Sequence, residues 1–320
     1  MSRILKIAFE EHFNGVGFEN YSQSFVSQIS ADVAAELGRR LADFDDLRLQ
    51  EMDAAGIDYV ILSQTAPGVQ VEKDLAVAIR RARENNDFVA QRIDRHPTRY
   101  GGFATLPMQD PKGAADELER VVKDRGFKGA LVNGHTNGVY YDGADYNIFW
   151  ERLQQLDVPF YLHPFDAYGP LYAYTGHPEM AGATWGWGVE AATHALRLMF
   201  GGVFDRFPNV KVILGHMGEG LPFQRWRFDS RFAAYPCGVV LERKPSEYIG
   251  TNIVVTTSGV CSPAALMGAI GEMGAEAVMF SVDYPYESAS VAADFIEQAP
   301  MDDATRALVC YGNAKRLFKL

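Results

Sequence analysis

The chain has 320 residues, 48% of them hydrophobic and 22% charged, with a formal net charge of −11. That is enough apolar material for an ordinary globular core, and the length fits a single closed α/β barrel domain spanning 1–320. No basic block stands out, which excludes nucleic acid and anionic membranes as partners; an anionic substrate has to be held by local cations.

The three cysteines, Cys237, Cys261 and Cys310, form no CxxC pair and read as reduced thiols of a cytoplasmic protein. The amino-terminal apolar run breaks at Glu10, too early for a signal peptide, and no run approaches the ~20 apolar residues of a membrane span.

In chain order, Ile4 to Phe9 reads as a buried strand that turns polar at Glu10, Glu11 and His12. Strand alternation puts Glu10 and His12 on one face and Glu11 on the other, a pincer for a divalent cation. A polar segment to about Leu41, dotted with Phe18, Tyr21 and Phe25, shows no clean period and reads as a lid or binding loop, with Phe25 expected at the substrate. Helix is expected from Asp45 to Ala55, closed by Gly56, then strand at 59–62 and helix from Lys73 to Arg95, stopped by Pro97.

The rhythm repeats. Strands are expected at 100–106, 129–132, 159–162, 210–214, 253–257 and 277–281, with helices at 111–123, 146–156, 190–204, 221–232 and 264–273, and from Ser288 and Asp303. A Gly- and aromatic-rich loop covers Phe165 to Gly188; its Tyr168, Tyr172, Tyr174, Trp185 and Trp187 line either a flat pocket or a subunit interface. Eight βα units without a composition break predict a (β/α)8 TIM barrel, its inserted βα loops covering the C-terminal mouth. An open doubly wound sheet is the alternative, but no GxGxxG follows the first strand.

In such a barrel the chemistry sits at the strand ends. The polar residues there are Glu10, His12, His163, His216 with Glu219, and Asp283. Three of the seven histidines at one mouth, with carboxylates beside them, point to a metal site. Glu10, His12, His163 and Asp283 offer two imidazoles and two carboxylates, a set that suits one Zn²⁺ or Mn²⁺ per chain, with Mg²⁺ a further candidate. His216 and Glu219, at i and i+3, are placed to pair, the carboxylate fixing the imidazole tautomer.

Structural readings stand beside these. Glu219 and Asp283 also suit helix N-terminal carboxylates, and Arg227 and Arg231 suit a solvated face paired with Asp229. His135, in NGHTNG after the fourth strand, is placed to touch substrate. His96, His177 and His194 read as surface or structural.

The Glu10-Glu11-His12-Phe13 start, ALVNG, FYLHP, LGHMGEGLPF with WRFDSR, TTSG, FSVDYPYE and the closing NAKRLFKL together resemble the metal-dependent aromatic acid decarboxylases of the amidohydrolase superfamily. The likeness is collinear and nearly end to end, and is nearest in wording to the γ-resorcylate (2,6-dihydroxybenzoate) and 2,3-dihydroxybenzoate enzymes. It implies the same barrel, metal on Glu10, His12, His163 and Asp283, a catalytic pair in His216 and Glu219, Arg227 near the substrate, and a homotetramer built from dimers. Phe165-Asp166 stands where the γ-resorcylate enzymes carry Arg-Asn. NGHTNG, WGWGVE and VDYPYE resemble the 5-carboxyvanillate branch, although that branch and the 2,3-dihydroxybenzoate enzymes tend to carry Ala where this chain has His12.

The expected reaction is non-oxidative, reversible decarboxylation of an ortho-hydroxybenzoate, a small aromatic carboxylate. Asp283 protonates the ring carbon, His216 and Glu219 assist, and no organic cofactor is needed because the ring is the electron sink. Asp283 then has to be protonated when substrate binds, which calls for a raised pKa. A hydrolase with Asp283 as base and a non-catalytic metal- or effector-binding barrel are the rivals.

Overall fold

A computed structural model describes residues 3–18, 21 and 29–320. Eight parallel strands alternate with helices: β1 (Ile7–Phe13), β2 (Tyr59–Gln64), β3 (Tyr100–Gly102), β4 (Ala130–Asn133), β5 (Phe160–His163), β6 (Val212–Leu214), β7 (Ile253–Thr256) and β8 (Val278–Met279). They form ladders β1-β2-β3 and β4-β5-β6-β7-β8. Single parallel bridges, Ala104 to Ala130 and Glu11 to Tyr284, join the two ladders at both edges and close the expected (β/α)8 barrel.

β3 is shorter than its apolar run predicts. After Gly102 the backbone changes partners: Ala104 N donates to Gly129 O, and Thr105 N to the side chain of Asn86. The segment before Leu41 also departs from expectation, because residues Ala31–Ala42 form a helix capped by Ser30. Only Leu41 of that helix is buried, although Val33, Leu37 and Leu41 repeat at helical spacing.

Ile7, Phe9, Ile61, Phe103, Leu131, Tyr161, Ile213, Val254 and Met279 fill the barrel interior, and Phe318 of the last helix plugs its floor, 4.9 Å from Phe9. A larger core lies between strands and helices. With Ile7 and Phe9 inside, strict alternation would turn Glu11 inward. Instead the β1–β2 register shifts between Ala8 and Glu11, a bulge that re-aims the end of the strand. Glu10 and His12 then face the mouth, while Glu11 accepts from Val282 N at 3.1 Å. Among the described residues no helix is long and apolar enough to cross a membrane.

Candidate active site

β1 delivers Glu10 and His12, β5 ends on His163, and the turn after β8 supplies Asp283. One ligand-capable atom from each of these four residues lies within 4.8 Å of all the others. His12 Nε2 is 3.2 Å from Asp283 Oδ1, and His163 Nε2 is 3.3 Å from Glu10 Oε1. Glu10 Oε1, His12 Nε2 and Asp283 Oδ1 are buried and have no hydrogen-bond partner among the described residues. Buried polar atoms left without partners are costly, and a divalent cation would satisfy these together. The N/O donor set fits such an ion.

A layer of hydroxyls steadies Glu10 and His12. Ser63 Oγ lies 3.1 Å from His12 Nδ1; accepting from Nδ1–H, it would leave the Nε2 lone pair facing the centre. Tyr161 and Ser258 both donate to Glu10 Oε2, which leaves Oε1 free. Thr256 Oγ1 bonds to Ser258 at 2.8 Å and to Tyr161 at 3.1 Å. None of these three was singled out from the sequence. The signal was there, since Tyr161 precedes His163 by two residues on the same strand face, and Thr256 precedes Ser258 likewise.

His216, just beyond β6, places Nδ1 2.7 Å from Glu219 Oε1 and Nε2 3.5 Å from both Asp283 Oδ2 and Glu10 Oε1. His216, Met217, Glu219 and Asp283 all have positive φ, at 48°, 57°, 52° and 78°. Left-handed backbone at a residue other than glycine costs on the order of 1–3 kcal/mol and gathers at functional sites. Glu219 is 7% exposed, so it is no solvent-facing helix terminus. The helix after Asp283 begins at Ala289 and is capped by Ser288, so Asp283 is not a capping residue either.

Burial pushes the Glu10 carboxyl above its ordinary range, and the Asp283 charge adds to that. Burial and the neighbouring His12 hold His163 well below the usual imidazole value, in the neutral form that binds metal. Burial opposes charge on His216 too, yet Glu219, Glu10 and Asp283 together lift it well above normal. Burial would raise Asp283, but its polar contacts with His12 and His216 and their charge outweigh that and hold it below the usual range. Without substrate the shift thus runs opposite to the rise expected when substrate binds, and the same contacts favour the charged form of His216.

A cavity of about 800 Å³ opens over the centre. Its lining includes His163, His216, Glu219, Asp283 and Glu287, with Thr65, Phe165, Trp185, Trp187, Leu196, Gln224, Phe228 and Tyr286. Trp185 and Trp187 thus line the pocket, with Trp187 Nε1 donating to Asp166 at 2.6 Å, whereas Tyr172 is 93% exposed. No Lys or Arg lines the cavity among the described residues.

Two expected substrate contacts, Arg227 and His135, do not line the cavity. Phe25 lies outside the described residues. Arg227 is exposed on helix Arg225–Ala234, away from the lining, and Gln224 and Phe228 reach the wall instead. Asp229 bonds to Ser246 N and Oγ, at 2.8 and 2.7 Å, and so is not the partner of Arg227 or Arg231. His135 is buried beside Tyr140 and Tyr168, its Nδ1 accepting from Gly138 N at 3.1 Å, and it does not line the cavity.

Residues 31–320 match the amidohydrolase family model. A γ-resorcylate decarboxylase from Polaromonas sp. (strain JS666 / ATCC BAA-500) is 46% identical over 331 residues, covering 98% of each chain. The structure of a 2,6-dihydroxybenzoate decarboxylase complexed with 2,6-dihydroxybenzoate is 43% identical with a TM-score of 0.93, covering 99% of this chain and 100% of that one. A dihydroxybenzoic acid decarboxylase from Polaromonas sp. JS666, with bound manganese and the inhibitor 2-nitroresorcinol, is 46% identical with a TM-score of 0.93, covering 99% of this chain and 98% of that one. With these likenesses running from end to end, the chain belongs to the amidohydrolase family, among its aromatic acid decarboxylases.

Proposed function

We propose that this protein is a divalent-metal-dependent carboxy-lyase that removes CO₂, reversibly and without oxidation, from an ortho-hydroxybenzoate such as 2,6-dihydroxybenzoate. The observation that carries the reading is the convergence of Glu10, His12, His163 and Asp283 within 4.8 Å, at the base of a cavity walled by aromatic rings. The relatives named above are decarboxylases of this substrate class. Manganese, present in the dihydroxybenzoic acid decarboxylase, is the ion we assign to these four residues. When bound, it supplies a Lewis acid for a carboxylate oxygen and the adjacent phenolic oxygen.

The chain's own groups do the rest. Trp187 and Phe165 form a wall against which a flat ring is oriented. His216 holds the resting proton, and its Nε2 lies 3.5 Å from Asp283 Oδ2. Arrival of the substrate anion raises the proton affinity of Asp283, so the proton passes from His216 to the carboxylate. Asp283 delivers it to the ring carbon that bears the carboxylate. The bond to the carboxylate then breaks, its electron pair restores the aromatic ring, and CO₂ departs. Glu219 keeps the imidazole aligned and stabilises its charged form.

A cytoplasmic enzyme that assembles as a homodimer or homotetramer completes the proposal. Its support is three unpaired cysteines and the exposed Phe223, Trp226 and Tyr235, at 52%, 79% and 69%, around one helix. Sedimentation equilibrium checks the oligomer, and a monomer at micromolar concentration would end that part of the proposal.

The deciding assay supplies Mn²⁺-loaded protein with salicylate, 2,3-, 2,4- and 2,6-dihydroxybenzoate and 5-carboxyvanillate, and reads CO₂ and phenol by chromatography. We expect the dihydroxybenzoates to be turned over ahead of 5-carboxyvanillate, whose second carboxylate meets no Lys or Arg among the described lining residues. A cleaved or ring-opened acid without CO₂ would make the protein a hydrolase instead. Preferred turnover of 5-carboxyvanillate would move it to that branch.

A further inference from the structure

Arg48, on helix Leu47–Ala55, is buried to 2% exposure. A guanidinium so deep is normally matched by a carboxylate. Here the hydrogen bonds go to backbone carbonyls: Nη2 donates to His12 O at 2.5 Å and Nε to Asp43 O at 3.1 Å. The guanidinium also lies over the ring of Tyr284, 4.6 Å from its centroid. Nη1 has no partner among the described residues. The fold thus keeps a buried cation directly behind two residues of the candidate metal centre.

Its contacts fall on both sides of one seam. β1 meets the segment after β8 through a single bridge, with Asp283 N donating to Glu10 O at 3.0 Å and His12 N to Tyr284 O at 2.7 Å. Ser281 Oγ accepts from Phe9 N and Glu10 N at 2.9 and 2.6 Å, and Glu11 accepts from Val282 N at 3.1 Å. His12 and Asp283 therefore stand on two adjoining segments, and of these bonds only His12 N to Tyr284 O falls on His12 itself. Arg48 holds the backbone of the first and the ring adjoining the second.

We infer that Arg48 is a positioning residue for the metal centre, fixing the separation of His12 and Asp283. The inference rests on the reading of Glu10, His12, His163 and Asp283 as the ligand set. A residue that merely fills the core would lower thermal stability and leave the metal affinity of the folded protein alone. A positioning residue changes that affinity, because groups that orient ligands are worth about 10–100-fold in metal binding.

The test titrates metal-free full-length protein with Mn²⁺, followed by electron paramagnetic resonance, for wild type, Arg48→Met, Arg48→Lys and Tyr284→Leu, with folding checked by circular dichroism. We expect Arg48→Met to raise the Mn²⁺ Kd about 10–100-fold and to broaden the spectrum of the bound ion. Arg48→Lys recovers part of the loss, since it keeps a donor for His12 O but not the stacked plane. Tyr284→Leu shifts Kd the same way by less. Should Arg48→Met not fold, the other two decide. Folded variants with Kd within twofold of wild type and an unchanged spectrum would overturn the inference while leaving the ligand set standing. Failure of the wild type to bind Mn²⁺ would remove the ligand set and this inference together.

Discussion

His216 and Glu219 are joined at 2.7 Å although both hold left-handed backbone, φ 48° and 52°. A turn of this shape is retained because it brings a carboxylate onto an imidazole that also faces Asp283. The dyad is therefore expected to act as one unit. His216→Asn should keep its metal and lose roughly 10²–10⁴-fold in turnover, the range for a positioned acid–base group. Glu219→Gln should act in the same direction. The double variant should cost much less than the product of the two losses; multiplicative losses in kcat would argue for independent roles.

Loss of a ligand should separate metal from fold. His12→Ala and His163→Ala are expected to bind no manganese and to turn over no substrate, while their circular dichroism stays that of the wild type. A site at the mouth adds little to the packed interior below it. Metal analysis of the purified variants decides the matter, and full metal content in either would remove that residue from the ligand set.

Asp283→Asn separates metal binding from proton delivery. The amide oxygen can still coordinate, more weakly, but it cannot donate a carboxylic acid proton. Turnover should collapse even when excess manganese restores occupancy. In D₂O the wild-type enzyme should place a single deuterium at the carbon that lost CO₂, and high bicarbonate should drive ortho carboxylation of the phenol. Near-normal CO₂ release from metal-replete Asp283→Asn would exclude Asp283 as the acid.

Acid sensitivity should trace in part to His194, buried on the helix Gly186–Phe200. Burial, with His135 and Arg197 nearby, lowers its pKa from 6.5 to about 3, and its Nε2 accepts from Tyr141 N at 3.2 Å. The folded value lies below the unfolded one, so the contribution to stability is complete above pH 6.5 and is lost as pH falls toward 3. Across that window the wild type should lose about 1.4 kcal/mol per pH unit more than His194→Gln. Urea melts in the presence of a chelator at pH 7, 6 and 5 measure the difference. Parallel slopes would mean that His194 does not titrate this way.

Much of this was legible in the sequence, and the exceptions have physical causes. Apolar runs ending in Glu, His or Asp mark strand ends because a parallel strand is buried on both faces until it reaches the mouth. Glu10 and His12 were paired by simple alternation, yet Ile7 and Phe9 fill the interior and only the register shift after Ala8 turns the two ligands inward. A bulge leaves little trace in one sequence. Arg227 was placed near the substrate by resemblance alone, whereas its helical spacing with Arg231 already suited the exposed face it occupies. His135 sits at a strand end, but packing against Tyr140 and Tyr168 draws it away from the opening.

The seam between β1 and residue 284 also sets an order of events during synthesis. Glu10 and His12 emerge from the ribosome first, and Asp283 close to last. The four-residue cage therefore cannot exist until the final strand has docked on the first, and nascent chains cannot be loaded through it. Retention of manganese by a newly made molecule is thus a signal that the ring of strands has closed, and a chain cut short before Asp283 should leave the ribosome unable to keep the ion.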